Sequence, residues 1–222
     1  MKQEKASLIF TELVGHFLVA TPQMKDPQFH QSVIFMCKHD KQTAMGLIIN
    51  KPKQDFTFSK LTKKLSFIKP RFEQNRIIYT GGPVENRRGY ILHSEDHLMP
   101  DSVKITDELA LSMQVDMLSE IANGVGPLQF KIMLGYTGWA AGQLEEELRQ
   151  NMWIHVPSLP QMIFTDDISS MWENALGYCG FNASNLSPQS GWAKIRIKST
   201  QIQIRYKALS LFNRLLAHIF IN

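Results

Sequence analysis

Cysteine is scarce in this chain: Cys37 and Cys179 are the only two in 222 residues, far apart and not in CxxC spacing. Without that spacing there is no paired-thiol redox motif and no zinc ribbon. In a protein with no export signal they read as reduced, buried thiols, and a disulfide or redox pair is the lesser alternative. Long apolar runs are missing as well, so no membrane-spanning helix is expected. The segment Met1 to Phe17 carries two lysines and two glutamates and no continuous apolar stretch, unlike a secretory signal peptide. A cytoplasmic protein is therefore expected. No GxSxG elbow, Walker A loop, GxGxxG turn or HExxH pair occurs, so the commonest hydrolase, nucleotide and metalloprotease signatures are lacking. Repeats and low-complexity linkers are absent too, which favours one integrated body.

What is present is ordinary globular composition, with 44% hydrophobic and 20% charged residues, in a chain long enough to bury a substantial core. The formal charge of +4 is unevenly placed. From Lys194 onward the chain carries Lys194, Arg196, Lys198, Arg205, Lys207 and Arg214 and no acidic residue, so residues 1–193 sum to −2. The sequence thus divides into a mildly acidic body, 1–193, and a basic extension, 194–222. Isoleucines alternate with polar residues over Lys194–Lys198 and Gln201–Arg205, and Ala208–Ile221 is a short apolar segment. These read as a hairpin and terminal helix packed on the body; the sharper alternative is a surface for nucleic acid or an anionic membrane through Lys194–Arg214.

Along the body, strands are expected at Phe17–Ala20, Ser32–Cys37 and Ala44–Ile49, the last two joined as a hairpin. Asn50-Lys51-Pro52 reads as a strand end, followed by a helix over Ser59–Ser66. Further strands are expected at Arg76–Tyr79, Gly89–His93, Val103–Ile105 and Glu108–Leu111. A helix carrying Val115, Leu118 and Ile121 then stops at Gly124 and Gly126-Pro127. Phe130–Leu134 reads as a strand feeding a glycine-rich turn, Gly135–Trp139. Leu144, Leu148 and Met152 form a helical stripe, Trp153–Val156 a strand, and Ile168 to Cys179 a second stripe with capping-box spacing at Ser170 and Glu173. Irregular alternation of this kind argues for a mixed sheet with helices packed on it.

Chemistry is harder to find. His93-Ser94-Glu95-Asp96-His97 has histidines at i, i+4, but after a strand it reads as a surface turn, not a metal site. Glu145-Glu146-Glu147 reads as a solvated helix face. No metal, cofactor or catalytic residue is assigned. Three turns follow apolar strands: Thr21-Pro22, Gly81-Gly82-Pro83 and Gly135–Trp139. Their backbone N–H groups are suited to an anion. If they gather at one sheet edge, they form a candidate pocket of Thr21, Pro22, Asn50, Lys51, Gly81, Gly82, Gly135, Tyr136, Gly138 and Trp139. The plainer alternative is that these glycines only shape the sheet.

The same blocks carry a family resemblance. Gly15-His16-Phe17-Leu18-Val19-Ala20-Thr21-Pro22 with Met24, Asp26-Pro27, Phe29 and Ser32-Val33 resembles the opening of the AlgH/YqgE family of bacterial proteins. Gly46 to Pro52, Gly81-Gly82-Pro83-Val84, Arg88-Gly89, Leu92-His93, Gly124 and Gly126-Pro127 follow in order. The most specific block is Leu134-Gly135-Tyr136, Gly138-Trp139, Gly142-Gln143-Leu144-Glu145, Glu147, Asn151 and Trp153. The resemblance runs from about Leu13 to Ala193. It implies an α+β fold with a mixed, bifurcated β-sheet curled into a pseudo-barrel with flanking helices. It brings no catalytic residue with it. One namesake of the family is regarded as a regulator of alginate gene expression, so a regulatory role is implied. Thr137 departs from the family's usual alanine or serine, and Lys38 from its usual acid.

Taken together, a non-enzymatic regulatory or binding protein is expected, acting on an unknown protein or small-molecule partner. The alternatives are an enzyme with an anion- or small-molecule-binding pocket at the glycine turns, and nucleic-acid binding through the extension.

Overall fold

The computed structural model describes residues 13–65, 76–178 and 180–181. The extension 194–222 and Cys179 lie outside the described residues. In chain order the elements are β1 (His16–Ala20), β2 (Val33–His39), β3 (Thr43–Ile48), β4 (Pro52–Thr57), α1 (Phe58–Lys64), β5 (Ile77–Thr80), β6 (Val84–Ser94), β7 (Val103–Lys104) and β8 (Leu109–Ser112). There follow α2 (Val115–Asn123), β9 (Phe130–Ala140), α3 (Gln143–Arg149), β10 (Trp153–Pro157), α4 (Pro160–Ile163) and α5 (Met171–Tyr178).

The strands form one sheet in the order β10-β1-β2-β3-β9-β6-β8-β7, curled into a half-barrel, with β5 and β4 branching off β9. The branch explains the mixed, bifurcated character. One edge of β9 pairs with β6. The other edge is shared: Ile132, Met133 and Leu134 pair in parallel with Ile78, Tyr79 and Thr80, then Thr137 to Ala140 pair antiparallel with β3. Gly135 stands at the handover with φ +77, a left-handed conformation that only glycine adopts without strain.

Both faces of the central strands are covered, which is why they read as continuous apolar runs instead of alternating ones. Phe17, Val19, Phe35, Leu47, Leu92 and Met133 pack on one face with Trp172 and Leu176 of α5. Leu18, Ile34, Met36, Trp139 and Trp153 pack on the opposite face with Leu144 of α3. A third cluster joins Ile78, Ile91 and Ile132 to Phe58 of α1 and Met117 and Ile121 of α2. Each such side chain, fully buried, contributes about 1.5–3 kcal/mol.

Several local expectations are corrected. Gly135–Trp139 is no turn: β9 runs through it, because Gly135 bends the strand without ending it. Asn50-Lys51-Pro52 does follow the end of β3 at Ile48, but Pro52 also opens a further strand, β4, exposed and at an edge, whose first position needs no donor. β6 begins at Val84, five residues before Gly89, in a largely exposed stretch where Glu85 takes φ +46. Helix α5 starts at Met171, not Ile168, and Ser170 directs its hydroxyl to Asp167 while accepting from Asn174 Nδ2 at 2.9 Å. Met152 falls after α3 yet still packs on the cluster of Leu144. No helix among the described residues is long and apolar enough to cross a membrane.

Candidate functional site

The segment after β3 is pinned from both sides. Asn50 accepts the Val33 N–H at Oδ1, 2.8 Å, and donates from Nδ2 to the Gln31 carbonyl, 2.8 Å. Lys51 Nζ donates to the carbonyls of Gln28 at 2.9 Å and Pro27 at 3.4 Å. Burial lowers the Lys51 pKa, and Asp26 partly opposes that shift. These bonds hold the loop between β1 and β2 against the end of β3. Beside them opens a pocket of about 340 Å³, lined by His30, Gln31, Asn50, Lys51, Ile168, Ser169, Trp172 and Glu173. Its lining is largely polar and carries both charge signs. Trp172 is fixed as its wall, its Nε1 donating to the Ala20 carbonyl at 2.7 Å.

Of the ten residues expected to share a pocket, only Asn50 and Lys51 line this one. The others fall into separate roles. Gly81 and Gly82 do meet Gly135 and Tyr136, but in direct backbone contact. A Cβ on Gly81 would lie 2.2 Å from the Gly135 oxygen, and one on Gly82 2.2 Å from the Tyr136 carbonyl carbon. The Gly81 N–H donates to Leu134 at 2.8 Å, and its carbonyl accepts from Ile48 N–H at 2.9 Å. The Thr137 hydroxyl donates to the same carbonyl at 3.4 Å. The glycines therefore stitch the fork of the sheet.

Thr21 is buried and donates to the Asn151 carbonyl at 2.7 Å, with Pro22 half-buried after it. Tyr136 packs edge-on against Tyr90 at 5.6 Å, and a Cβ on Gly138 would lie 3.2 Å from the Tyr136 ring. Trp139 belongs to the cluster on the other face. Among the described residues no group of three or more His, Cys, Asp or Glu side chains is placed to hold a metal ion.

A family model described as AlgH-like (DUF179) matches residues 17–184. The chain belongs to this AlgH-like family. It is 41% identical to a UPF0301 protein of Vibrio parahaemolyticus over 186 residues, 82% of this chain and 99% of that relative. A UPF0301 protein of Rhizobium rhizogenes is 39% identical over 188 residues, 82% of this chain and 93% of the relative. The solution structure of AlgH from Pseudomonas aeruginosa is similar with a TM-score of 0.68 and 39% identity, covering 82% of this chain and 96% of that one. A crystal structure of a Corynebacterium diphtheriae protein shares the fold, with a TM-score of 0.60 at 20% identity over 73% of this chain and 84% of that one.

In this AlgH-like protein the block from Trp139 to Trp153 is a polar latch. Glu147 Oε2 accepts the indole N–H groups of Trp139 at 2.8 Å and Trp153 at 2.7 Å, while Oε1 accepts Gln143 Nε2 at 3.0 Å. Gln143 Oε1 in turn accepts the Ala140 N–H at 3.1 Å. Glu145 accepts from His39 Nε2 at 3.2 Å. Two of the three glutamates expected on a wet face thus tie α3 to the sheet. A helical-wheel reading misses this because the partners lie on other elements. His93 is corrected likewise: it is buried at the end of β6 and bonded to Ser112, while His97 pairs with Glu120.

Lys131 was not expected at all. It stands 5% exposed in β9, its Nζ 3.0 Å from the Ile49 carbonyl and 4.4 Å above the Tyr79 ring. Burial pulls its pKa down to about 8, against an opposing pull from Asp166. The signal was one lysine alternating with Met133 on an inward-facing strand.

Proposed function

We propose that this protein is a binding protein whose ligand is a small polar molecule carrying charge, recognised in the pocket beside Asn50 and Lys51. The observation that carries the reading is the division of labour in that pocket. Asn50 and Lys51 spend hydrogen bonds fixing the loop, which makes a pre-formed wall, while His30, Gln31 and Glu173 leave polar groups at its mouth. Pre-organised polar groups beside an apolar wall, here Ile168 and Trp172, suit a site that selects by orientation. A regulatory role follows as an extension of this reading: occupancy at the loop between β1 and β2 changes what a partner protein meets there.

The test is thermal denaturation of the full chain against a panel of amino acids, carboxylates, phosphates and nucleotides. A ligand of the folded state raises the midpoint, by roughly 2.7 kcal/mol of stabilisation at one hundred times its Kd. The shift is expected to shrink in His30→Ala and Glu173→Ala, both at the pocket mouth, with the ligand-free midpoint nearly unchanged. A ligand whose shift survives both substitutions binds elsewhere and overturns the assignment.

A further inference from the structure

On the other wing of the sheet, where β6, β8 and β7 lie side by side, three side chains form one hydrogen-bonded line. His93 Nδ1 lies 2.8 Å from the Ser94 carbonyl oxygen. A carbonyl only accepts, so Nδ1 carries the proton and Nε2 of the neutral ring is the acceptor. Ser112 Oγ, 2.9 Å from Nε2, must therefore donate to it. Its one hydrogen is then committed, so at the 2.7 Å contact between Ser102 and Ser112 the donor is Ser102. One backbone carbonyl sets the direction of the whole line.

The line runs from interior to surface. His93 and Ser112 are fully buried, whereas Ser102 is half-buried at the end of a turn between exposed Asp101 and exposed Val103. That turn is closed by the Ser102 N–H on the Met99 carbonyl, 2.9 Å, and the Met99 N–H on Ser102 Oγ, 2.9 Å. Ser102 Oγ keeps a further lone pair while its proton points inward to the Ser112 hydroxyl. Burial lowers the His93 pKa, against opposing effects of its Ser94 bond and Asp96, with His97 adding to the lowering, so the ring favours the neutral acceptor form. The Ser102 hydroxyl reaches the oriented imidazole through one relaying hydroxyl, that of Ser112, which links a nucleophile to its base in two hydrogen bonds instead of one. Nearby, Gln114 Oε1 is buried with no hydrogen-bond partner, while its Nε2 donates to Asp101 at 2.6 Å.

We propose that Ser102 is a nucleophilic serine, served by His93 through Ser112, that accepts an acyl group from an activated ester. In the step, Ser102 Oγ forms a bond to the acyl carbon and the ester's bond to its leaving oxygen breaks. The Ser102 proton passes to Ser112 Oγ as the Ser112 proton passes to His93 Nε2, leaving an imidazolium, an acyl-serine and a departed alkoxide or phenolate. Water then attacks the acyl carbon and the bond to Ser102 Oγ breaks; His93 returns its proton along the same line to Ser102 Oγ, and the water's surplus proton neutralises the departed alkoxide or phenolate, leaving a carboxylic acid. This activity goes beyond the binding reading and stands on different residues, so either can fail alone.

The test uses the full chain with p-nitrophenyl acetate, following p-nitrophenolate release and mapping acetyl groups by peptide mass spectrometry. Ser102 is expected to be acetylated at least about a hundred-fold faster in the folded protein than in the urea-unfolded chain, the scale of general-base assistance. Release is expected to fall by a similar factor in Ser102→Ala, His93→Gln and Ser112→Ala, and to recover in Ser112→Thr, which restores the relaying hydroxyl. Release unchanged in Ser102→Ala with no acetyl on Ser102 overturns the proposal, as does wild-type acetylation of Ser102 in Ser112→Ala. If the two buried variants fail to fold, the rates at Ser102 in the folded and the urea-unfolded parent decide the matter alone, equal rates overturning the proposal.

Discussion

The ammonium of Lys131 donates to the carbonyl oxygen of Ile49 at 3.0 Å, across the fork where β9 leaves β5 for β3. Among the described residues no carboxylate is in contact with it; the ring of Tyr79 lies 4.4 Å away, and Asp166 acts only at longer range. A buried cation so placed is costly to charge, which is why its pKa falls to about 8.

That depression makes stability depend on pH with a definite sign. The unfolded chain holds the Lys131 proton up to about 10.4, whereas the folded protein releases it from about pH 8. Below 8 both states are charged and folding carries the full penalty, on the order of 3 kcal/mol. Between 8 and 10.4 the penalty disappears. Lys131→Met is therefore expected to be more stable than the parent at pH 7, with the gap closing as pH rises to 10.4. Comparing the two proteins removes the contribution of Tyr90, whose pKa is pushed up to about 12 by burial and by Glu85. Urea midpoints at four pH values test this, and a gap independent of pH refutes it.

The two indole N–H groups on Glu147 make a second case. Glu147→Ala strands both donors in a half-buried site and frees α3 from β9 and β10. Bonds to a charged acceptor are worth about 1.5–3 kcal/mol each, so a loss of about 3 kcal/mol or more is expected. Glu147→Gln keeps one acceptor oxygen and should lose roughly half as much. Chemical denaturation followed by tryptophan fluorescence measures both. Equal stability of the alanine variant and the parent would show that the latch contributes nothing.

How much of this was legible beforehand depends on what each residue's partners are. The strand β2 and the helix α2 were readable because their signals are local: a run of apolar residues, and a 3.6-residue stripe ended by Gly124. Family resemblance supplied the fork. What sequence could not supply was the meaning of Gly81 and Gly135. Both were read as turns with free N–H groups, yet each is there because another backbone touches it, a contact more than fifty residues away in the chain. Glu147 and His93 failed for the same reason, since a polar residue is classed as exposed until its long-range partner is known, and nothing local singles out Lys131. Asn50 and Lys51 line a pocket, but their side chains serve mainly to build its wall.

The glycine contact gives a sharp steric prediction. Gly81→Ala places a methyl 2.2 Å from the Gly135 oxygen and 2.9 Å from Met133 Cβ, where neither backbone can move without opening the fork. Overpacking of this kind costs about 1–3 kcal/mol and occasionally more. Gly89→Ala in β6 is the control, since its Cβ meets nothing within 4 Å and its φ is unremarkable for an L-residue. Thermal midpoints are expected to fall for Gly81→Ala and to change little for Gly89→Ala. Similar midpoints for the two would mean that the fork tolerates separation.

Cys37 offers a test of burial by reactivity. Its side chain is buried in β2, the thiol 3.7 Å from the Phe35 carbonyl, and burial pushes its pKa up to about 12. Only the thiolate attacks a disulfide reagent, so at pH 8 the folded protein presents almost no reactive form, and that on a buried side chain. In a Cys179→Ser background, which leaves Cys37 as the sole thiol, modification by an aromatic disulfide is expected to proceed only as fast as the chain opens. Adding urea to the unfolding midpoint should accelerate it by orders of magnitude, in step with the unfolded fraction. Fast modification in native buffer, at a rate proportional to reagent concentration and unaffected by mild urea, would place Cys37 within reach of solvent and contradict the packing of β2.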